Sequence, residues 1–112
     1  MSTAVEPTLA TKAKLFRGLG DSSRLAILEI LRGGPRSVSE IVDATGLMQS
    51  NVSNHLACLL DCNLVVREQR GRFAYYELAD KHVAKLLATA SRLLSEVAHG
   101  VHACGRYESD VR

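Results

Sequence analysis

The chain has 112 residues, 46% of them hydrophobic, with 14 Lys and Arg against 12 Asp and Glu and a formal net charge of +2. That length supports one compact domain and is short for an enzyme that must build a deep pocket of its own. A charge so near balance says nothing for nucleic acid by itself, so a DNA argument must rest on where the basic residues sit.

No apolar run approaches the roughly 18 residues of a membrane span. The opening "MSTAVEPTLATKAK" lacks the apolar core of a secretory signal. A cytoplasmic protein with no membrane partner is therefore expected. Three cysteines without an export signal favour reduced thiols or metal ligands over a disulfide framework.

Leu9, Ala13, Phe16 and Leu19 recur at helical spacing and predict a first helix, ended by Gly20, after which Asp21 caps a second. In "DSSRLAILEILRGG" the expected core contacts are Leu25, Leu28, Ile30 and Leu31, and Gly33, Gly34 and Pro35 stop the helix. Ser37 and Glu40, three apart, form a capping box that opens a short helix over Ile41, Val42 and Ala44, closing at Gly46. Val52, Leu56, Leu59 and Leu60 then repeat at helical spacing as far as Asn63. A short helix, a tight glycine turn and a second helix make a helix-turn-helix.

After Asn63 the period changes. "LVVREQRGRFAYYEL" is rich in β-formers around a polar centre of Arg67, Gln69, Arg70, Gly71 and Arg72, and reads as two strands joined by a basic tip, a wing. Asp80 caps a long final helix in which Val83, Leu87, Ala90, Leu94, Val97 and Val101 alternate steps of four and three. Such a seam wants a partner helix and predicts a homodimer joined through its terminal helices. Residues 1–112 thus read as a single winged helix-turn-helix domain, mainly α with a small β-hairpin, with 1–8 expected as a flexible arm and 105–112 as a flexible tail.

The first turns of the helix after the tight turn carry Gln49, Ser50, Asn51, Ser53, Asn54 and His55, short or amide side chains suited to base edges and phosphates in a major groove. A solvated polar face has the same composition. The arrangement decides for operator double-stranded DNA: a helix-turn-helix precedes these residues, and a hairpin bearing Arg70 and Arg72 follows them, within reach of the neighbouring backbone.

Cys58 and Cys62 are four apart on that same helix, so the two thiols lie on one face, one turn apart, where they can share a metal ion. Either alone could as well be a small buried hydrophobe. Cys104 is far off in sequence and must be brought in by the fold, from the same chain or from a second one. Three sulfurs suit thiophilic Cd(II), Pb(II) or As(III) better than Zn(II), which usually fills four positions. His99 or His102 could add a fourth ligand. Cys62 sits at a helix carboxyl end beside Asp61, where dipole and charge disfavour thiolate, which argues against thiol catalysis. No C-x-x-C, paired nucleophile and base, or phosphate loop points to an enzyme. A thiol-redox-responsive repressor using the same cysteines is the alternative to metal sensing.

The segments "DSSRLAILEIL", "SEIVDATGLMQSNVSNHLACLLDCNLV" and "RGRFAYYEL" resemble successive signatures of the arsenic- and zinc-sensing repressor family of bacterial winged-helix proteins, over roughly residues 12–101. The resemblance implies a homodimer that sits on the operators of metal-resistance or efflux genes and leaves when metal binds. Met48 stands where the family often has a capping Ser, and Asn63 where Gly is usual, a position Asn tolerates. Of the family's metal sites, one needs cysteines that "SEIVDATG" lacks. Another, along the last helix, finds Asp80, His82 and Glu96 in place but Leu93 where a His belongs, and Asp80 reads better as a helix cap. The pattern Cys58, Cys62 and Cys104 is similar to that of the cadmium- and lead-sensing subgroup, in which the resemblance implies that the third thiol comes from the opposite subunit. Drawing Cys58 and Cys62 toward it would shift the helix that carries the DNA-reading residues.

Overall fold

Asp21 separates two helices by turning its side chain on the second. Its Oδ2 accepts the Arg24 amide at 2.9 Å, so α1 (Leu9–Leu19) ends at Gly20 and α2 (Ser22–Leu31) begins at once. Arg24 Nε donates to the Gly18 carbonyl at 2.8 Å and ties the two helices together. A computed structural model describes residues 8–105. Of the expected arm and tail, 1–7 and 106–112 lie outside the described residues; Thr8 is the cap of α1, its side chain accepting from the Thr11 amide.

The core face of α2 is Ile27, Leu28 and Leu31. Ile27 is fully buried and Ile30 only partly so, the reverse of the expected emphasis: residues 27, 28 and 31 form one stripe at i, i+1 and i+4, and Ile30 sits at its edge. The chain then forms a two-residue strand, β1 (Arg36–Ser37), before α3 (Val38–Thr45). The capping box is complete in both directions: Ser37 Oγ accepts the Glu40 amide at 3.2 Å and Glu40 Oε1 accepts the Ser37 amide at 2.8 Å. Gly46, at φ +74°, closes α3 in the left-handed region.

Next is α4 (Gln49–Asp61), whose Val52, Leu56 and Leu59 are buried against α2 and α3. Its start is uncapped, for Met48 offers no side-chain acceptor. Its end is well closed. Asn63 adopts φ +60°, and the amides of Asn63 and Leu64 return to the carbonyls of Leu60 and Leu59, each at 3.0 Å.

β2 (Val65–Arg70) and β3 (Phe73–Leu78) pair antiparallel around the two-residue turn Gly71-Arg72, with Gly71 at φ +60° supplying the positive dihedral that such a turn requires at its first position. The expected hairpin is one part of a three-stranded sheet in the order β1-β3-β2, since Arg36 and Ser37 pair with Tyr76 and Tyr75. α5 (Lys81–Ala103) starts at Asp80, whose Oδ1 accepts both the His82 amide and His82 Nδ1. These two bonds hold the Asp80 carboxyl below its ordinary range, the amide bond contributing most.

The seam on α5 divides. Val83 and Leu87 join the core, while Leu94, Val97 and Val101 are 40–50% exposed. Leu93, Phe16 and Leu9 are exposed as well. A groove of about 160 Å³ is lined by Leu15 and Leu19 of α1, by Leu64, and by His82, Val83, Leu86 and Leu87 of α5.

Candidate DNA interface and thiol site

Burial of Val52, Leu56 and Leu59 fixes the rotation of α4, and the opposite side of its first two turns faces water. Gln49, Ser50, Asn51, Ser53 and Asn54 are all exposed there. His55 is placed differently from the expectation. It is half-buried, with Nε2 3.9 Å from Asp21 Oδ2, so it faces the cap of α2 rather than standing free with its neighbours. At 3.9 Å the two groups are too far apart for a hydrogen bond.

The wing brings two arginines to one end. Arg72 lies in the turn and Arg70 at the end of β2. Arg70 is already engaged: its Nε donates to Glu68 Oε1 at 2.7 Å and its guanidinium lies 5.1 Å from the centroid of the Tyr75 ring. The Glu68 bond raises the already high pKa of Arg70. Arg67 and Gln69 stiffen the other side of the hairpin, Arg67 Nη2 donating to Gln69 Oε1 at 3.1 Å and Gln69 Nε2 to the Gly71 carbonyl at 3.0 Å.

The cysteines are free thiols. Cys58 and Cys62 are both exposed, so neither serves as a buried hydrophobe, and Cys104 is half-buried at the end of α5. The Cys62 thiol holds its proton above the ordinary value, first because it has lost part of its water and then because the Cys58 thiol stands beside it. Lys14 on α1 pulls the other way, and Asp61, expected as a main cause, contributes least. The direction matches the sequence expectation while the leading cause is desolvation. Within one chain the three sulfurs do not converge: among the described residues, no group of three or more Cys, His, Asp or Glu side chains could hold a metal ion. His102 is exposed in the last turn of α5, and the side chain of His99 lies outside the described residues.

Sequence reasoning missed one feature with functional weight, the carboxylate on Arg70, which has a signal in "REQR", where Glu68 and Arg70 share a strand face.

Residues 21–66, from the cap of α2 to the start of the wing, match the model of the bacterial regulatory protein arsR family. The chain is 36% identical over 96 residues to a probable mercury resistance operon repressor of Streptomyces lividans, covering 86% of this chain and 77% of that one. It belongs to the arsR family of bacterial regulatory proteins.

Members of this family are DNA-binding transcriptional regulators, not enzymes. This arsR-family chain is also 45% identical over 75 residues to the transcriptional regulator CmtR of Mycobacterium tuberculosis, a match that spans 67% of this chain and 64% of CmtR. The solved structure of that cadmium metal-sensor superposes with a TM-score of 0.61 at 44% identity, over 69% of this chain and 80% of that one. A homodimeric winged helix-turn-helix DNA-binding domain from Mycobacterium bovis superposes with a TM-score of 0.71 at 30% identity, over 86% of this chain and 92% of that one. The winged helix-turn-helix fold is thereby established for this chain, and no helix among the described residues is long and apolar enough to cross a membrane.

Proposed function

We propose that the protein is a metal-responsive repressor that binds operator DNA as a homodimer and releases it when a thiophilic ion, Cd(II) or Pb(II), occupies a site built from Cys58 and Cys62 of one chain and Cys104 of the other. As(III), which three sulfurs also suit, ranks after these two ions, and Zn(II), which usually fills four positions, fits the donors less well. The observation that carries this reading is the position of two exposed thiols, one turn apart, on the helix whose other end presents Gln49, Ser50, Asn51, Ser53 and Asn54.

Dimer formation is supported by the exposed apolar face of α5, which no part of the described chain covers, and by the homodimeric relative. Two α4 helices in a symmetric dimer can enter successive major grooves about 34 Å apart only if their mutual orientation is fixed. In this reading α4 is both reader and reporter. Its donors are suited to soft ions, the thiolates supplying charge and polarisable sulfur, and each protonated thiol must lose its proton to bind. Linking the Cys58/Cys62 end of α4 to Cys104 biases the pair of helices away from the DNA-bound arrangement, and about 1.4 kcal/mol of such coupling lowers affinity tenfold. The likeness to CmtR, a cadmium sensor, supports the choice of ion.

The test is a gel shift on the DNA upstream of the protein's own coding region, repeated with Cd(II), Pb(II), As(III) and Zn(II). Retardation abolished by Cd(II) or Pb(II) at low ion concentration is the expected result. Release by diamide with no effect of any metal would replace this reading with thiol-redox control.

A further inference from the structure

The wing carries its own anion for the cation that would meet DNA. Register sets Val66, Glu68 and Arg70 of β2 against Glu77, Tyr75 and Phe73 of β3. Alternate residues of a strand share a face, so these six line one face of the hairpin, and buried Val65 marks the other. On that face Glu68 and Arg70 are bonded at 2.7 Å, with the guanidinium held over Tyr75. Arg72, two residues on, makes no side-chain hydrogen bond or ion pair among the described residues. Of two neighbouring wing arginines, one is therefore neutralised within the protein and one is not.

We propose that Glu68 is a positioning residue that competes with the DNA backbone: it holds Arg70 along the wing in the free protein and yields it to a phosphate on binding. The inference rests on the reading that the wing touches DNA. The exchange is favourable because an exposed ion pair in water is weak, whereas a phosphate accepts two guanidinium bonds and releases condensed counterions when neutralised. Tyr75 keeps the guanidinium on the same face throughout, since its attraction for the cation does not depend on which anion is present. The consequence is a restraint on sequence-independent affinity, because every phosphate contact by Arg70 must first displace Glu68.

The experiment is an anisotropy titration of full-length wild type, Glu68→Gln, Arg70→Gln, the double variant and Glu77→Gln against a mixed-sequence duplex of about 30 base pairs, over a range of salt. Arg70→Gln should weaken binding and reduce the salt slope by about one per chain. Glu68→Gln should tighten binding by about two- to fivefold per chain at low salt, and that gain should vanish in the Arg70→Gln background. Glu77→Gln removes a charge from the same face without touching the bond and should gain less. A Glu68→Gln gain that persists without Arg70, or that Glu77→Gln equals, would reduce the effect to general repulsion and overturn the proposal. Weaker binding by Glu68→Gln would overturn it too, showing that the bond survives in the complex. Arg70→Gln without effect at any salt would remove Arg70 from the interface, and the proposal with it.

Discussion

The amide of Cys62 closes the last turn of α4 on the carbonyl of Cys58 at 3.0 Å, so the two thiols stand one above the other on the same rigid helix as Gln49 and Asn54. A change at one end of α4 cannot be absorbed within the helix. It must appear as a change in how the helix is carried.

Replacing Cys104 with Ser should leave operator affinity within about twofold and abolish release by Cd(II) or Pb(II), because a two-thiol site lacks the link to the end of α5. Gel shifts with and without metal check this, and sulfur-to-metal absorption should weaken in parallel. A variant that still lets go of DNA on adding metal would exclude Cys104 from the site.

Metal affinity should rise with pH through the neutral range. The Cys62 proton is held above the ordinary thiol value, so the thiol is protonated near pH 7 and the ion must displace its proton. About tenfold in affinity per pH unit is expected for each protonated thiol displaced. Titration in two buffers of different ionisation enthalpy counts the protons, and none released would exclude thiolate ligation.

Met48→Ser should stabilise the protein by about 1 kcal/mol, because the start of α4 has no side-chain cap and Ser supplies an acceptor. In a domain of this size the midpoint of thermal unfolding, at fixed protein concentration, should rise by a few degrees. No rise would mean that water or a neighbouring group already serves those amides.

Leu94→Glu should give a folded monomer with weakened DNA binding. Leu94 is 43% exposed in the single chain, so a charge there costs the monomer little while opposing the burial of an apolar face between two chains. Sedimentation and circular dichroism separate the two effects. A dimer of unchanged stability would move the contact elsewhere.

Asp80 provides an acid-side signature. Its carboxyl, held low by the two bonds from His82, lends stability that is fully present above the carboxylate range of the unfolded chain and is lost as pH falls through the lowered folded value. Asp80→Ala should therefore flatten stability against pH below about pH 4. Denaturant midpoints at several acidic pH values, compared with wild type, test it.

The helix order was legible because each boundary is written in one or two residues: Asp21, the Ser37 and Glu40 pair, Gly46, Asn63 and Asp80 all act as the sequence suggests. β1 was not, since two residues show no alternation and pair only because Tyr75 and Tyr76 present a free strand edge. The spacing that draws one seam along α5 cannot say where the monomer ends and a partner begins, which is a matter of how far the rest of the fold extends. His55 and Arg70 were legible as polar groups near the interface. Their partners Asp21 and Glu68 follow from helix packing across a gap of 34 positions in one case and from strand register in the other.

Cys104 ends the helix whose last turns carry the exposed apolar face. If, as proposed, the third thiol is supplied across that face, the sensor would exist only while two chains are together, and its sensitivity would become a function of how many copies the cell holds. At low abundance a fraction of the protein would be blind to metal and, being monomeric, also off the operator. Scarcity of repressor and abundance of metal would then have the same outcome for the gene.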